Sequence, residues 1–205
     1  MQTLKLTQKD DLEYFRKRAL KLIGVDFPLS YFEQGFVRAI KDSRGRIIAG
    51  YAIVTDGPLR TLSSLPDNFK HKLNESEIFE LTALWVDPNV DSGLPSCLLW
   101  CCLSKDFLSL KNKKSVIYAY DLYNKKLAKL YGLANPTEIY RGKVKKLEGN
   151  LYESEDIIET IPRMNVVLSP IICFPNFLTK MFFKRKTFMT DLKPLALIKR
   201  LTREY

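Results

Sequence analysis

The stretch from Ile78 to Gly142 decides the fold. It opens with IFELTALWV (78–86), continues through the turn-rich loop DPNVDSGLP (87–95), and enters SCLLWCCLSKDFLSL (96–110), which is apolar at helical spacing. SVIYAY (115–120) follows as a strand of buried type, and then a short polar segment carries Asn124, Leu127, Leu130 and Tyr131. The order is strand, loop, helix, strand, helix. A loop-to-helix junction therefore stands beside a strand end, where backbone amides can hold a phosphate. Along the first strand, simple alternation puts Glu80, Thr82, Leu84 and Val86 on one face and Phe79, Leu81, Ala83 and Trp85 on the other.

Working outward, TLKL (3–6) reads as a short strand, and Thr7 as the N-cap of a helix, with Asp10 three residues on. That helix carries Leu12, Phe15, Ala19, Leu22 and Ile23 on one side and stops at Gly24. GFVRAIKD (35–42) and RIIAGYAIV (46–54) form a hairpin about Ser43-Arg44-Gly45, halted at Asp56-Gly57-Pro58. The interval 57–77 is irregular, with a short helix near 67–73. Further on, EIYRGKVKKL (138–147) reads as a strand with a bulge at Gly142. LYESEDIIETI (151–161) reads as a short helix or linker, and MNVVLSPIICF (164–174) as one more apolar strand. Local hairpins mixed with crossover helices predict an α/β (α+β) protein built on a sheet of mixed direction.

Composition sets the outer limits. The chain has 205 residues, 46% of them hydrophobic, enough for one domain with a normal core. The net charge of +10 favours anionic partners without choosing among nucleic acid, acidic lipid and nucleotide phosphates. Cys97, Cys101 and Cys102 read as small core residues of one helix, Cys173 is remote, and no CxxC pair is present. His71 is the single histidine, lying in FKHKL as a solvated residue, so a Cys/His zinc site is not expected. The start MQTLKLTQKDDLEYF lacks the apolar run of a signal peptide, and 165–183 is broken by Pro170, Pro175 and Lys180 as a membrane span. A cytoplasmic location is the expectation. Residues 176–205 hold eight Lys/Arg against Asp191 and Glu204. Within them FLTKMFFKRKTF interleaves aromatics with Lys184, Arg185 and Lys186, which suits an anionic membrane surface, nucleic acid or an acidic carrier protein; the plain alternative is a packed element with solvated cations.

The element order and four of its motifs resemble the GNAT-type N-acyltransferase superfamily over roughly residues 1–145. The motifs are the short strand followed directly by a helix, the hairpin VRAIKDSRGRIIAGYAIV, the strand ELTALWVDP, and Asn124-x-x-Leu127-x-x-Leu130-Tyr131, which is similar to the family's N-x-x-A-x-x-L-Y. The resemblance implies a mixed, mostly antiparallel sheet flanked by helices, with a domain over 1–175 and a basic, aromatic-rich extension over 176–205. It implies transfer of an acyl group from a thioester, an acyl-CoA or an acyl carrier protein, to a small-molecule or protein amine, without a metal. The donor's pantetheine arm would lie along Leu84, Trp85 and Val86, and its phosphates on the loop containing Ser92, Gly93, Leu94 and Ser96, with Asn124 contacting its amides. The loop departs from the family's basic, glycine-rich form: it has one glycine, no Lys or Arg, an aspartate at 91 that repels phosphate, and Pro95 without an N–H. An acyl carrier donor, or loss of donor binding, therefore stands beside coenzyme A.

Three residues are candidates for proton transfer. Glu80 reads as a general base for the amine or, equally, as a strand carboxylate paired with a lysine. Tyr131 reads as the donor of a proton to the leaving thiolate, or as an aromatic packed on the sheet. Asp121, at the end of its strand, reads as a second acid/base at the cleft mouth or as an N-cap, and Asn124 equally as an N-cap. Two other functions stay open. One is a non-catalytic GNAT-like domain that binds a membrane or partner through its basic tail. The other is nucleic-acid base modification, because ELTALWV, the YAYD strand and a later Y-x-G resemble phage-type DNA-modifying members, although Ala83 stands where an arginine is expected.

Overall fold

The computed structural model describes residues 1–70, 73–90, 93–150 and 154–171. His71, Asp91, Ser92 and residues 172–205, which include Cys173 and the whole of the expected extension over 176–205, lie outside the described residues. Seven strands form one sheet in the order β1-β2-β3-β4-β5-β7-β6: β1 Gln2–Leu6, β2 Gly35–Lys41, β3 Ile47–Val54, β4 Ile78–Val86, β5 Ser115–Asp121, β6 Thr137–Lys143 and β7 Glu155–Pro162. Every neighbouring pair is antiparallel except β4 and β5. One face is covered by α1 (Lys9–Ile23) and α2 (Leu29–Glu33), together with α3 (Arg60–Ser64) and α4 (Asp67–Lys70) from the β3–β4 connection. The other carries α5 (Gly93–Ser109), α6 (Lys125–Tyr131) and a helical stretch over 163–171. The fold is α+β, with a mixed, mostly antiparallel sheet flanked by helices, as expected.

Local chemistry accounts for the boundaries. Gly24 closes α1 at φ 82°, and its N–H returns to the Leu20 carbonyl. This is the left-handed cap that glycine adopts without strain. Thr7 is not the N-cap; Gln8 occupies that position without a side-chain hydrogen bond, and the acidic residues Asp10 and Asp11 fill the first turn instead. The β2–β3 turn is held by Asp42, whose carboxylate accepts the N–H groups of Arg44 and Arg46 at 2.8 and 3.0 Å.

Three segments differ from their sequence reading. Residues 155–162 are a strand rather than a helix or linker, because β7 inserts between β5 and β6 and gains pairing on both edges. Residues 163–171 are helical rather than extended, burying Val166 and Ser169 while their other side faces out. The bulge in β6 falls between Glu138 and Tyr140, not at Gly142. The cysteines of α5 are not core residues either: Cys101 is exposed, and Cys97 and Cys102 are half-buried.

The two faces have separate cores. Under α5, Phe79 meets Phe107 edge-on at 4.6 Å, with Leu103, Tyr51 and Tyr118 around them. Under α1, Phe15 packs on Phe32 and Trp85 with centroids at 5.8 and 5.4 Å. A buried ion pair ties α5 to the sheet. The Arg38 guanidinium donates through Nε to Asp106 Oδ2 at 2.6 Å, and the Tyr51 hydroxyl donates to the same oxygen at 2.7 Å. Removing one partner of such a pair strands the other charge in the core, at a cost of about 3–5 kcal/mol. Asp106→Ala is therefore expected to lower the melting temperature by on the order of 10 °C. Lys105→Ala, at the exposed position next to it, should leave the melt within about 2 °C of the wild type. Thermal unfolding followed by circular dichroism checks both; an unchanged melt for Asp106→Ala would mean the pair does not hold α5.

Candidate functional site

The site begins with a failure of pairing. β4 has nine residues, but only Ile78, Phe79 and Glu80 pair with Ser115, Val116 and Ile117 of β5. Beyond Glu80 the strands part. Their divergence coincides with a bulge: Ala49 and Gly50 pair with Val86 and Trp85, whereas Ala52 and Ile53 pair with Thr82 and Leu81, so β4 holds one extra residue opposite Tyr51. Ala83 takes it up at φ 49°. A bulge bends its strand and increases twist, which carries the end of β4 away from β5 and leaves the backbone edge of Leu81–Val86 unpaired with β5. A groove with free N–H and C=O groups can accept an extended chain as an added strand.

The bulge also overturns the simple two-face reading of β4. Leu84 and Val86 join Phe79 and Leu81 on the α5 side, while Ala83 and Trp85 turn to the α1 side with Ile78. Of the residues expected along the donor's arm, Leu84 and Val86 thus lie toward α5, and the Trp85 ring lies on the opposite face between Phe15 and the Arg18 guanidinium. Arg18 in turn is paired with Asp87 just past the strand. In the loop, Gly93 is buried at the start of α5, Leu94 is exposed, and Ser96 is half-buried. Pro95 falls in the first turn, where its missing N–H leaves one fewer donor for a phosphate. Ser92 lies outside the described residues. No group of three or more potential metal ligands occurs among the described residues.

Glu80 sits where the strands part, and it is neither paired with a lysine nor open to solvent. It is 1% exposed. Its Oε2 accepts the Thr61 N–H at 2.8 Å, and the Tyr31 hydroxyl, which accepts the Arg60 N–H at 3.0 Å, also bonds to it. Burial pushes the Glu80 carboxyl up to about 7, partly offset by these two donors. The cover over Glu80 is the β3–β4 connection, which reads as an irregular interval in the sequence. It is clamped from the far side: the Lys145 N–H donates to the Ser64 carbonyl at 2.9 Å, Arg60 donates to the Glu148 carbonyl at 2.8 Å, and Phe69 packs on Tyr140.

Tyr131 is buried beside the half of β5 that does not pair with β4, its ring 4.3 Å from Tyr118 and 5.5 Å from Tyr120. Burial raises its hydroxyl pKa well above the ordinary tyrosine value, so the proton stays on. Both neighbours donate to Glu159 of β7, Tyr118 at 2.7 Å and Tyr120 at 3.2 Å. Burial first, and then Glu159, drives the Tyr118 hydroxyl strongly up and the Tyr120 hydroxyl up to about 12. Nothing in the sequence reading singles out Glu159, Tyr118 and Tyr120. The alternation in YAY and DIIETI carries them, but only the β5–β7 register, which sets Tyr118 opposite Glu159, brings them together.

Asp121 does not reach this cluster. It is exposed on the opposite face of β5, where its carboxylate accepts the Tyr123 N–H at 2.6 Å and forms the turn into α6. Asn124 is the N-cap of α6, its side-chain oxygen accepting the Leu127 N–H at 3.2 Å.

The buried carboxyl at position 80 yields a pH test. Its folded pKa near 7 lies above the ordinary value of 4.5, so its contribution to stability is full below about pH 4.5 and is lost as the pH rises through 7, an effect of about 3 kcal/mol. Glu80→Gln is expected to melt close to the wild type at pH 5 and above it at pH 8. Equal pH dependence in the two proteins would show that Glu80 is not buried as described.

No family model matches the sequence, and no curated protein matches it. Solved structures do. An N-acyl amino acid synthase, FeeM, from uncultured soil microbes superposes with a TM-score of 0.59 at 13% identity, over 80% of this chain and 92% of that one. A ribosomal-protein-S18-alanine N-acetyltransferase from Escherichia coli gives 0.54 at 14% identity, over 78% and 92%. A spermidine N-acetyltransferase chimera from Vibrio cholerae and hSSAT gives 0.54 at 12% identity, over 82% and 99%. The superpositions take in most of this chain and nearly all of each match, and the chain has the fold of the GNAT N-acyltransferases.

Proposed function

We propose that the protein transfers an acyl group from a phosphopantetheine thioester to an amine. The observation that carries this reading is the parting of β4 and β5 after Glu80, with Tyr131 buried against the half of β5 that β4 leaves unpaired. An extended pantetheine arm fits the unpaired edge of Leu81–Val86 as an added strand. The arm is common to acyl-CoA and to acyl carrier proteins. The nucleotide phosphates, by contrast, would meet a loop without Lys or Arg and with Pro95 in the first turn. A donor held mainly by its arm suits this site, and the net charge of +10 suits an acidic carrier.

In the reaction the amine nitrogen bonds to the thioester carbonyl carbon and the C–S bond breaks. Tyr131 gives its proton to the departing thiolate and recovers the proton shed by the nitrogen. Its raised pKa keeps the hydroxyl protonated for this role. Glu80 receives a different assignment. Covered by Thr61 and Tyr31, it anchors the β3–β4 connection over the sheet. The matched structures bear the names of enzymes acting on spermidine, on a ribosomal-protein alanine and on amino acids, and the acceptor proposed here goes no further than an amine.

A second reading is favoured by the same cover: a GNAT-like domain whose base is shut away can bind a partner without catalysis. A donor screen separates the two. Coenzyme A, short and long acyl-CoAs and acyl carrier thioesters are tested for thermal stabilisation and for amide formation with a panel of amines. A donor at about a hundred times its Kd should raise the melting temperature by roughly 5–10 °C. Tyr131→Phe should keep that shift and lose about a hundredfold or more in kcat. Amide formation by no donor would favour the binding domain, and full activity of Tyr131→Phe would remove the tyrosine from the mechanism.

A further inference from the structure

The outer surface of the α5 side breaks the ordinary pattern of a surface helix, which turns polar residues outward. Positions 94, 98, 101, 105 and 108 form one stripe along α5; Leu94, Cys101 and Leu108 are exposed, Leu98 is half-buried, and only Lys105 is polar. The helical stretch 163–171 runs beside it. The Ser104 hydroxyl donates to the Val167 carbonyl at 2.6 Å, and the Arg163 guanidinium donates to the Leu110 carbonyl at 3.0 Å. This second helix exposes Met164, Leu168 and Ile171, spaced i, i+4, i+7 on one face, with Ile171 74% exposed.

The exposed charges of these two segments have one sign. Across 93–114 and 163–171 the single acidic residue is Asp106, which is buried against Arg38. The cations are Lys105, Lys111, Lys113, Lys114 and Arg163, of which Lys114 reaches Glu77. The sequence that follows, 172–190, contains five phenylalanines, Lys180, Lys184, Arg185 and Lys186, and no acid.

We propose that α5 and residues 163–171 form a docking face for an anionic lipid surface. Leu, Met and Ile side chains enter the interface while the lysines meet the headgroups, the division of labour of an in-plane amphipathic helix. No helix among the described residues is long and apolar enough to cross a membrane, and the contact proposed is with the surface of the bilayer. A second copy of the chain is a poorer occupant, because a two-fold contact sets like patches together and neither 93–114 nor 163–171 has an exposed acid to meet the other copy's lysines. The proposal stands whether or not the chain transfers acyl groups.

The test is co-sedimentation of the full chain with vesicles of phosphatidylcholine alone and of phosphatidylcholine containing about one-third phosphatidylglycerol. Binding is expected to the anionic vesicles only and to weaken with salt. Leu108→Glu with Leu168→Glu should reduce it about tenfold or more, and so, independently, should Lys105→Glu with Lys111→Glu. All four side chains are exposed, so circular dichroism melts should stay within about 2 °C of the wild type; if the leucine pair disturbs the fold, the lysine pair carries the test. Absence of binding to anionic vesicles overturns the proposal. So does binding that neither pair diminishes, which would place the contact elsewhere in the chain, and so does a dimer in solution that the pairs dissociate, which would give the face to a second copy.

Discussion

Three parallel residue pairs, Ile78–Glu80 with Ser115–Ile117, join the two halves of this sheet. Everything toward β1 hangs from β4, and everything toward β6 hangs from β5. Because the pairing stops at Glu80, the sheet has a built-in opening rather than a continuous ladder, and the backbone groups along it are available to a ligand instead of to a neighbouring strand. The bulge at Ala83 is the device that keeps the opening from closing. A residue held at positive φ is costly for alanine, and the cost is sustained because Leu84 and Val86 pack under α5 while Trp85 packs under α1.

The two sides of this opening differ in character. Toward α1, Glu80 is enclosed by hydrogen bonds to α3 and by the hydroxyl of Tyr31, and the connection that covers it is clamped by the 144–150 segment. Toward α5, Tyr118, Tyr120 and Tyr131 gather around Glu159, with their protons retained by burial. A carboxylate can be buried in both places because each has donors aimed at it. The consequences diverge. Donors from a backbone turn and from Tyr31 hold Glu80 against the β3–β4 connection, whereas tyrosine hydroxyls on the other side keep proton-bearing groups beside the opening.

Beyond the opening, α5 has two jobs that pull its composition in opposite directions. Its inner side must carry Leu103, Phe107 and the Asp106 that holds Arg38, and these make a firm core contact. Its outer side, with Leu94, Cys101 and Leu108, gains nothing from that core. Apolar residues on an exposed face, with cations and no exposed acid in the helix itself, point to a surface that water is not meant to cover alone.

Much of the frame is legible in the residues themselves. The alternation of IIAGYAIV and IFELTALWV, the glycine stop after α1 and the Asn124–Tyr131 spacing are local signals, and each element lies where they put it. Local signals fail where pairing partners lie far along the chain. DIIETI is ambiguous as an isolated acidic segment and becomes a strand only between β5 and β6. The alternation along β4 gives the wrong faces from Ala83 to Val86, because a bulge is set by the partner strand's register and not by the side chains that occupy it. Glu80, Tyr131, Asp121 and Asn124 stand out in the sequence by their chemical types and spacing. Only the tertiary structure decides that Glu80 is covered, that Asp121 faces away, and that Glu159 joins the tyrosines, because burial and register are properties of distant segments brought together.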